Sequence, residues 1–302
     1  MRNATFKNST LLTIVLKVTI LFSSNTFACD IHGKSGIVAD NNLSIPVGLK
    51  ALVSTGITEV AFNKVIDKVT KIYAPIVKLK GGNLSVVKKW TDGTVNAYAH
   101  RDGSNWYVSM FGGLARHPEM TEDAFATVVC HELGHQIGGA PKKVDPTAGS
   151  SWASNEGQAD YFATLKCLRK VFASERNVDV VKKLKVPANI AKMCTNNFSN
   201  SEEAAVCIRT SVAGLALGNF FRVLSGSKTP LSISTPDKKV VKVTFDSHPD
   251  SQCRLDTYYQ GSMCDKSVSE DVSDRDENIG TCTKRNGDAI GNRPLCWFKP
   301  SV

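Results

Sequence analysis

The chain has 302 residues of average composition, 42% hydrophobic and 22% charged, which suits one substantial domain plus an appendage better than two full domains. Its 37 Lys and Arg against 28 Asp and Glu give a net charge of +9. The excess sits in scattered lysines ("VKKW", "VKKLK", "DKKVVKV") with no stripe of interleaved arginines and aromatics, so solvated faces explain it and nucleic acid is excluded as a partner.

Residues 1–28 carry Arg2, Lys7 and Lys17 with no acid, then "LLTIVLKVTILF", then small and polar residues ending "NTFA". This is the layout of a secretory signal peptide, with cleavage expected after Ala28. The apolar stretch is broken by Lys17 and falls short of the ~20 residues that span a bilayer, so no integral membrane span is expected. The mature chain is expected to be exported, periplasmic or extracellular, with a charge of +6 once three basic residues are removed. Cys29 would be the new terminus, but Thr26 and Phe27 match a lipid-attachment signal poorly, so a lipoprotein is the lesser reading. All nine cysteines follow Ala28 and none forms a C-x-x-C pair, which argues against zinc ribbons and thioredoxin-like chemistry. Export favours disulfides. The odd one is expected to be Cys130, buried and reduced in a helix, with Cys29 bridged and with Cys253–Cys264, Cys282–Cys296 and then Cys194–Cys207 as the expected short loops.

Along the chain, "ITEVAFNKVIDKVTKIY" repeats apolar residues at three and four, with Thr58 placed to cap a helix and Pro75 to stop it. "LSVVKKW", "VNAYAH" and "NWYVSM" are β-prone runs separated by "TDGT" and "RDGS", which predicts a three-stranded antiparallel meander. Thr121 caps a helix to Ile137, ended by Gly138-Gly139. After a loop of small residues, a long helix starts near Ser151 or Ser154 and runs through "EGQADYFATLKCLRKVF". Helices follow at about 187–194 and 201–225, the latter apolar but read as a core helix. "DRDENIG" lacks the Gly and Glu of a calcium loop.

The chemistry concentrates in "VVCHELGHQIGG", residues 128–139. Four residues on a helix advance about 400°, so His131 and His135 lie about 40° apart and can share one ion. Glu132 lies about 100° round from His131, placed to act on a water as a general base. Glu156 and Asp160 in "NEGQAD" share one face of the next helix. Read alone they are exposed carboxylates; beside H-E-x-x-H, Glu156 is expected as the third ligand of a zinc with an open position, and Asp160 as the acceptor for the outer N–H of His131.

H-E-L-G-H followed by E-x-x-x-D resembles the gluzincin pattern, and three further stretches narrow the resemblance to the HtpX, CAAX prenyl protease and BepA-like metallopeptidases. These are "VNAYAHRDGSNWYVSMFGGL", "TEDAFATVVCHELGH" and "SHPDSQCRLDTY". The likeness runs from about Thr58 to Leu255 and implies a zinc endopeptidase with His131, His135 and Glu156 as ligands and Glu132 as base. It also implies that His248 stabilises an oxyanion, that Arg254 either assists the same charge or buttresses the site, and that Asn96, Ala97 and Tyr98 form an edge strand pairing with extended substrate. The gap between His135 and Glu156 is short for that family, and the missing span points to its soluble exported branch. His32, His100 and His117 are expected to be surface or core residues.

The expected fold is α+β: a zincin-like domain at 29–264, its small antiparallel sheet packed on the two site helices, then an acidic linker and Cys/Gly-rich segment at 265–302. The expected function is peptide-bond hydrolysis with one zinc per chain and polypeptide as partner. The rival from another class is a non-catalytic, zinc-stabilised envelope chaperone or adaptor.

Overall fold

The computed structural model describes residues 35–48, 56–145 and 149–301; the expected signal segment, Cys29 and His32 lie outside the described residues. In chain order the elements begin with β1 (Ser35–Gly36), α1 (Glu59–Leu79), β2 (Asn83–Lys89), β3 (Ala97–Asp102), β4 (Asn105–Phe111) and the single turn α2 (Gly112–Ala115). Next come α3 (Glu122–Ile137), β5 (Lys142–Asp145), β6 (Gly149–Ser154), α4 (Glu156–Phe162), a π turn (Ala163–Cys167) and α5 (Leu168–Phe172). The remaining helices are α6 (Asn177–Val181), α7 (Ala188–Asn197), α8 (Ser201–Leu224) and α9 (Ser251–Met263). The architecture is α+β, as expected.

Helix α1 starts where Thr58 Oγ1 accepts from the Ala61 amide at 3.2 Å, and it buries Phe62, Val65, Ile66, Val69, Tyr73 and Val77 along one stripe. Pro75 does not stop it. The turn beyond the proline puts Val77 wholly inside the core. Burying such a side chain contributes about 1.5–3 kcal/mol, enough to offset most of the ~3 kcal/mol that an interior proline costs.

The sheet order is β1-β3-β4-β2, which corrects the expected meander. β3 and β4 form an antiparallel hairpin, with Asp102 opposite Asn105 and Gly103 at φ +56° in the turn. β2 instead runs parallel to β4 on the far edge. That register sets Leu84 beside Trp106 and Val86 beside Val108, so the apolar residues of both strands share a face. β1 pairs with the opposite side of β3, Gly36 facing Tyr98, so β3 is an interior strand.

Thr121 caps α3 through the Ala124 amide at 3.1 Å, and every residue from Ala124 to Ile137 is buried. Such a helix is apolar all round because neighbours surround it; here they are α1, α4, α8 and the sheet. Where a loop of small residues was expected, β5 and β6 form a hairpin, and the next helix begins only at Glu156, with Asn155 Oδ1 accepting from the Gln158 amide at 2.9 Å. α4, the π turn and α5 run on from one another over 156–172.

Eight cysteines form four disulfides, and three of the sequence expectations fail. Cys194–Cys207 is as expected. Cys130 is not free but bonds Cys167, tying α3 to the π turn of the neighbouring helix. Cys253 and Cys264 lie at opposite ends of α9, which rises about 1.5 Å per residue. They are too far apart to meet, and each bonds the C-terminal segment instead, as Cys253–Cys296 and Cys264–Cys282. That segment packs back on the site-bearing helices: the buried Trp297 indole donates to Thr257 Oγ1 at 2.9 Å, and Arg293 Nε donates to Gln158 Oε1 at 2.6 Å. Among the described residues only α8 is long and apolar enough to cross a membrane, and 72% of its most apolar stretch is buried within the protein.

Candidate metal centre

The centre is built where α3 crosses α4. Gly134 makes the crossing close, because a Cβ there would lie 2.9 Å from Ala159 Cα. Either side of that contact, His131 Nε2 stands 3.3 Å and His135 Nε2 3.6 Å from Glu156 Oε2. The three donor atoms lie within 4.8 Å of one another and all three residues are fully buried.

Each imidazole is oriented from behind. His131 Nδ1 is 2.6 Å from Asp160 Oδ1, and His135 Nδ1 is 2.8 Å from the Ser154 carbonyl, which only accepts, so that nitrogen carries the proton. His135 Nε2 is thereby left with a lone pair available to a cation, and His131 Nε2 offers one once that ring gives up its second proton. His131 Nε2 and both carboxylate oxygens of Glu132 are buried without a hydrogen-bond partner among the described residues. Two imidazoles and a carboxylate whose donor atoms converge suit zinc, so the residues fit the ion. The other two groupings of ligand-type residues consist mostly of disulfide-bonded cysteines and offer no thiolate.

The electrostatics point the same way. Burial disfavours a charged His131, yet Asp160 and Glu156 hold its pKa up at about 9, so this spot attracts positive charge. Burial, reinforced by His131 and Lys143 against Glu156, pushes His135 down to about 3 and keeps it neutral. Burial also opposes ionisation of Glu156, but His248, Lys143 and His135 outweigh it and hold that carboxyl well below the usual range. Glu132 goes the other way, pushed up to about 8 by burial and by Glu156.

Asp160 is the hub of the bracing. Arg254 grips it with two bonds, Nε to Oδ2 at 2.7 Å and Nη2 to Oδ1 at 2.8 Å, and the Tyr258 hydroxyl donates to it as well. Burial works against its charge, but Arg254 and His131 hold its pKa at about 2. Of the two roles left open for Arg254, the geometry fits the buttress: the guanidinium is buried, spent on Asp160 and on the Ile37 carbonyl at 2.6 Å. His248, just before α9, sits with Nε2 3.3 Å from Glu156 Oε2 and donates to the Gly36 carbonyl at 2.8 Å. Burial lowers its pKa.

The expected free edge at Asn96, Ala97 and Tyr98 is not free, because β1 already occupies it. Asn96 Oδ1 accepts from the Val38 amide at 3.3 Å, Ala97 O accepts from the Ile37 amide at 3.1 Å, and the Tyr98 hydroxyl donates to Asp40 Oδ1 at 3.0 Å. His117 is buried edge-on to Phe220, and His100 stacks on Tyr107, both away from the centre.

Sequence reasoning missed two members. Lys143, on β5, places Nζ 2.7 Å from Glu156 Oε1, and nothing in "APKKVD" signals a buried lysine. Tyr258 lies one helical turn beyond Arg254, a spacing that would have found it. The short gap between His135 and Glu156 is filled by the β5–β6 hairpin that delivers both Ser154 and Lys143. No protein-family model, curated protein or solved structure matches the chain.

Proposed function

We propose that this chain is a zinc-dependent endopeptidase of the gluzincin kind, similar to the HtpX, CAAX prenyl protease and BepA-like metallopeptidases and exported to an oxidising compartment. One observation carries the reading: the buried Glu132 carboxylate, with no hydrogen-bond partner among the described residues, beside the convergent donors of His131, His135 and Glu156. An idle buried carboxylate is costly, and a purely structural ion would not need one. When bound, zinc supplies a lowered pKa for a water molecule and polarisation of the scissile carbonyl.

The chain's own residues supply the rest. Glu132 accepts the proton of the attacking water and returns it to the departing amine, a role that its position beside the ligand residues allows. His248 Nε2–H, which already donates to a backbone carbonyl, donates to the substrate oxygen as negative charge develops there. Asp160, held by Arg254 and Tyr258, fixes the tautomer of His131. An extended polypeptide would pair with β3 only in place of β1, which holds that edge in the resting chain. The four disulfides fit an oxidising compartment.

Glu132→Gln is the test. The variant is expected to keep one zinc per chain by elemental analysis while cleavage of casein and of a quenched peptide library falls by at least ~10²-fold. Retained cleavage would refute the mechanism, and peptide binding without turnover by zinc-loaded wild type would favour the adaptor reading.

A further inference from the structure

The strand that a substrate would add to the sheet is already there, and it is the chain's own. From Ser35 to Ile45 the N-terminal segment runs antiparallel along 93–99: Ser35 faces Ala99, Gly36 faces Tyr98, Asn41 Nδ2 donates to the Val95 carbonyl at 3.3 Å, and the Ile45 amide donates to the Gly93 carbonyl at 2.8 Å. Its backbone is also gripped at two points by residues of the centre. The Gly36 carbonyl accepts from His248 Nε2, the same atom that lies 3.3 Å from the ligand oxygen of Glu156, and the Ile37 carbonyl accepts from Arg254. One peptide bond, Gly36–Ile37, therefore lies between the two grips.

The side chains make the register unambiguous. Ile37 is fully buried, an anchor in the main core. Gly36 has no room for anything larger: a Cβ would stand 2.9 Å from Tyr98 Cε1 and 3.0 Å from both Ala97 O and Asn96 Oδ1. A shift by one residue would put isoleucine where only glycine fits. Beyond Val38 the segment is exposed, and it walls one side of a cavity of about 710 Å³ closed by Phe221, Leu224, His248 and Arg254.

Resting on the peptidase reading above, we propose that the first substrate of this site is its own N-terminal segment, cut between Gly36 and Ile37. Water oxygen adds to the Gly36 carbonyl carbon, the carbon–nitrogen bond to Ile37 breaks, and the water's proton passes through Glu132 to the new amine of Ile37. The products are a carboxylate ending at Gly36 and a chain beginning at Ile37. The excised piece carries Cys29. Residues 37–45 stay attached and still pair with 93–97, so the cut frees only the β3 positions opposite Ser35 and Gly36, Ala99 and Tyr98.

The test uses the full chain loaded with zinc, followed by intact mass and N-terminal sequencing. Wild type is expected to acquire a terminus at Ile37 at a rate independent of protein concentration, and Glu132→Gln to keep the bond. Gly36→Val, which cannot seat in the register, is expected to slow processing at least ten-fold while still cleaving the peptide library. Occupancy is read separately, without turnover, by hydrogen exchange in the metal-free Glu132→Gln protein. The amides of Ile37 and Val38 are expected to be protected there, and adding Ile37→Asp should release them. A wild type that cleaves the library but leaves Gly36–Ile37 whole, or cuts elsewhere, overturns this proposal alone, as do unprotected amides. Failure to cleave either overturns the peptidase reading with it.

Discussion

The two flanks of the candidate metal centre are held by different means. On one side His131 leans on Asp160, Arg254 and Tyr258, a wholly buried charged network spanning α4 and α9. On the other, His135 Nδ1 donates to a backbone carbonyl, that of Ser154 at the end of β6. The first flank depends on side chains that a substitution removes outright, and it keeps charge inside the protein. The bond to Ser154 depends on where the hairpin puts its backbone, so a change of the Ser154 side chain should pass almost unnoticed by an ion there.

The difference can be pushed hardest at Arg254. Arg254→Met leaves the Asp160 carboxylate buried without its main partner, and removal of one member of such a pair costs about 3–5 kcal/mol, to be read by urea unfolding of the metal-free protein. Asp160→Asn should weaken zinc binding by about 10–100-fold in a competition with a chromogenic chelator, because the partner behind His131 no longer carries charge. Ser154→Ala is the matched change on the quiet flank. It removes the hydroxyl bond to the Gly139 carbonyl, about 1 kcal/mol of stability, yet keeps the carbonyl under His135, so zinc affinity should stay within about two-fold of wild type.

A smaller effect separates the centre from its surroundings. Asp256, one face away on α9, has its pKa raised to about 6 by burial, in spite of bonds from the Asp237 amide and Gln252. A raised carboxyl favours the fold while protonated, so its contribution is complete below the unfolded value and is lost as pH rises through about 6. Between pH 4 and 7 the melting temperature of Asp256→Asn should fall less than that of wild type, with zinc affinity at pH 7 unchanged.

The site-bearing helices were legible because their signals are local. Thr121 and the H-E-x-x-H spacing mark α3, and the four-residue step from Glu156 to Asp160 shows one face of α4. What escaped was set by distant partners. The β5–β6 hairpin has no apolar alternation, being "KKVD" and "GSSWAS". The parallel partnering of β2 follows from matching Leu84 and Val86 to Trp106 and Val108, which no turn signal announces. Cysteine pairing followed sequence proximity in expectation, whereas α9 holds Cys253 and Cys264 apart and hands each to the C-terminal segment. Asn96 to Tyr98 matched a substrate strand by resemblance, but a two-residue strand such as β1 leaves no periodicity to show that the edge is taken.

We propose that three side chains from two helices gather one zinc ion. Anomalous diffraction at the zinc edge, from crystals of the zinc-loaded Glu132→Gln protein, would locate it. A single strong peak is expected in contact with His131 Nε2, His135 Nε2 and a Glu156 carboxylate oxygen. A protein without that peak, or with its zinc elsewhere, would contradict it.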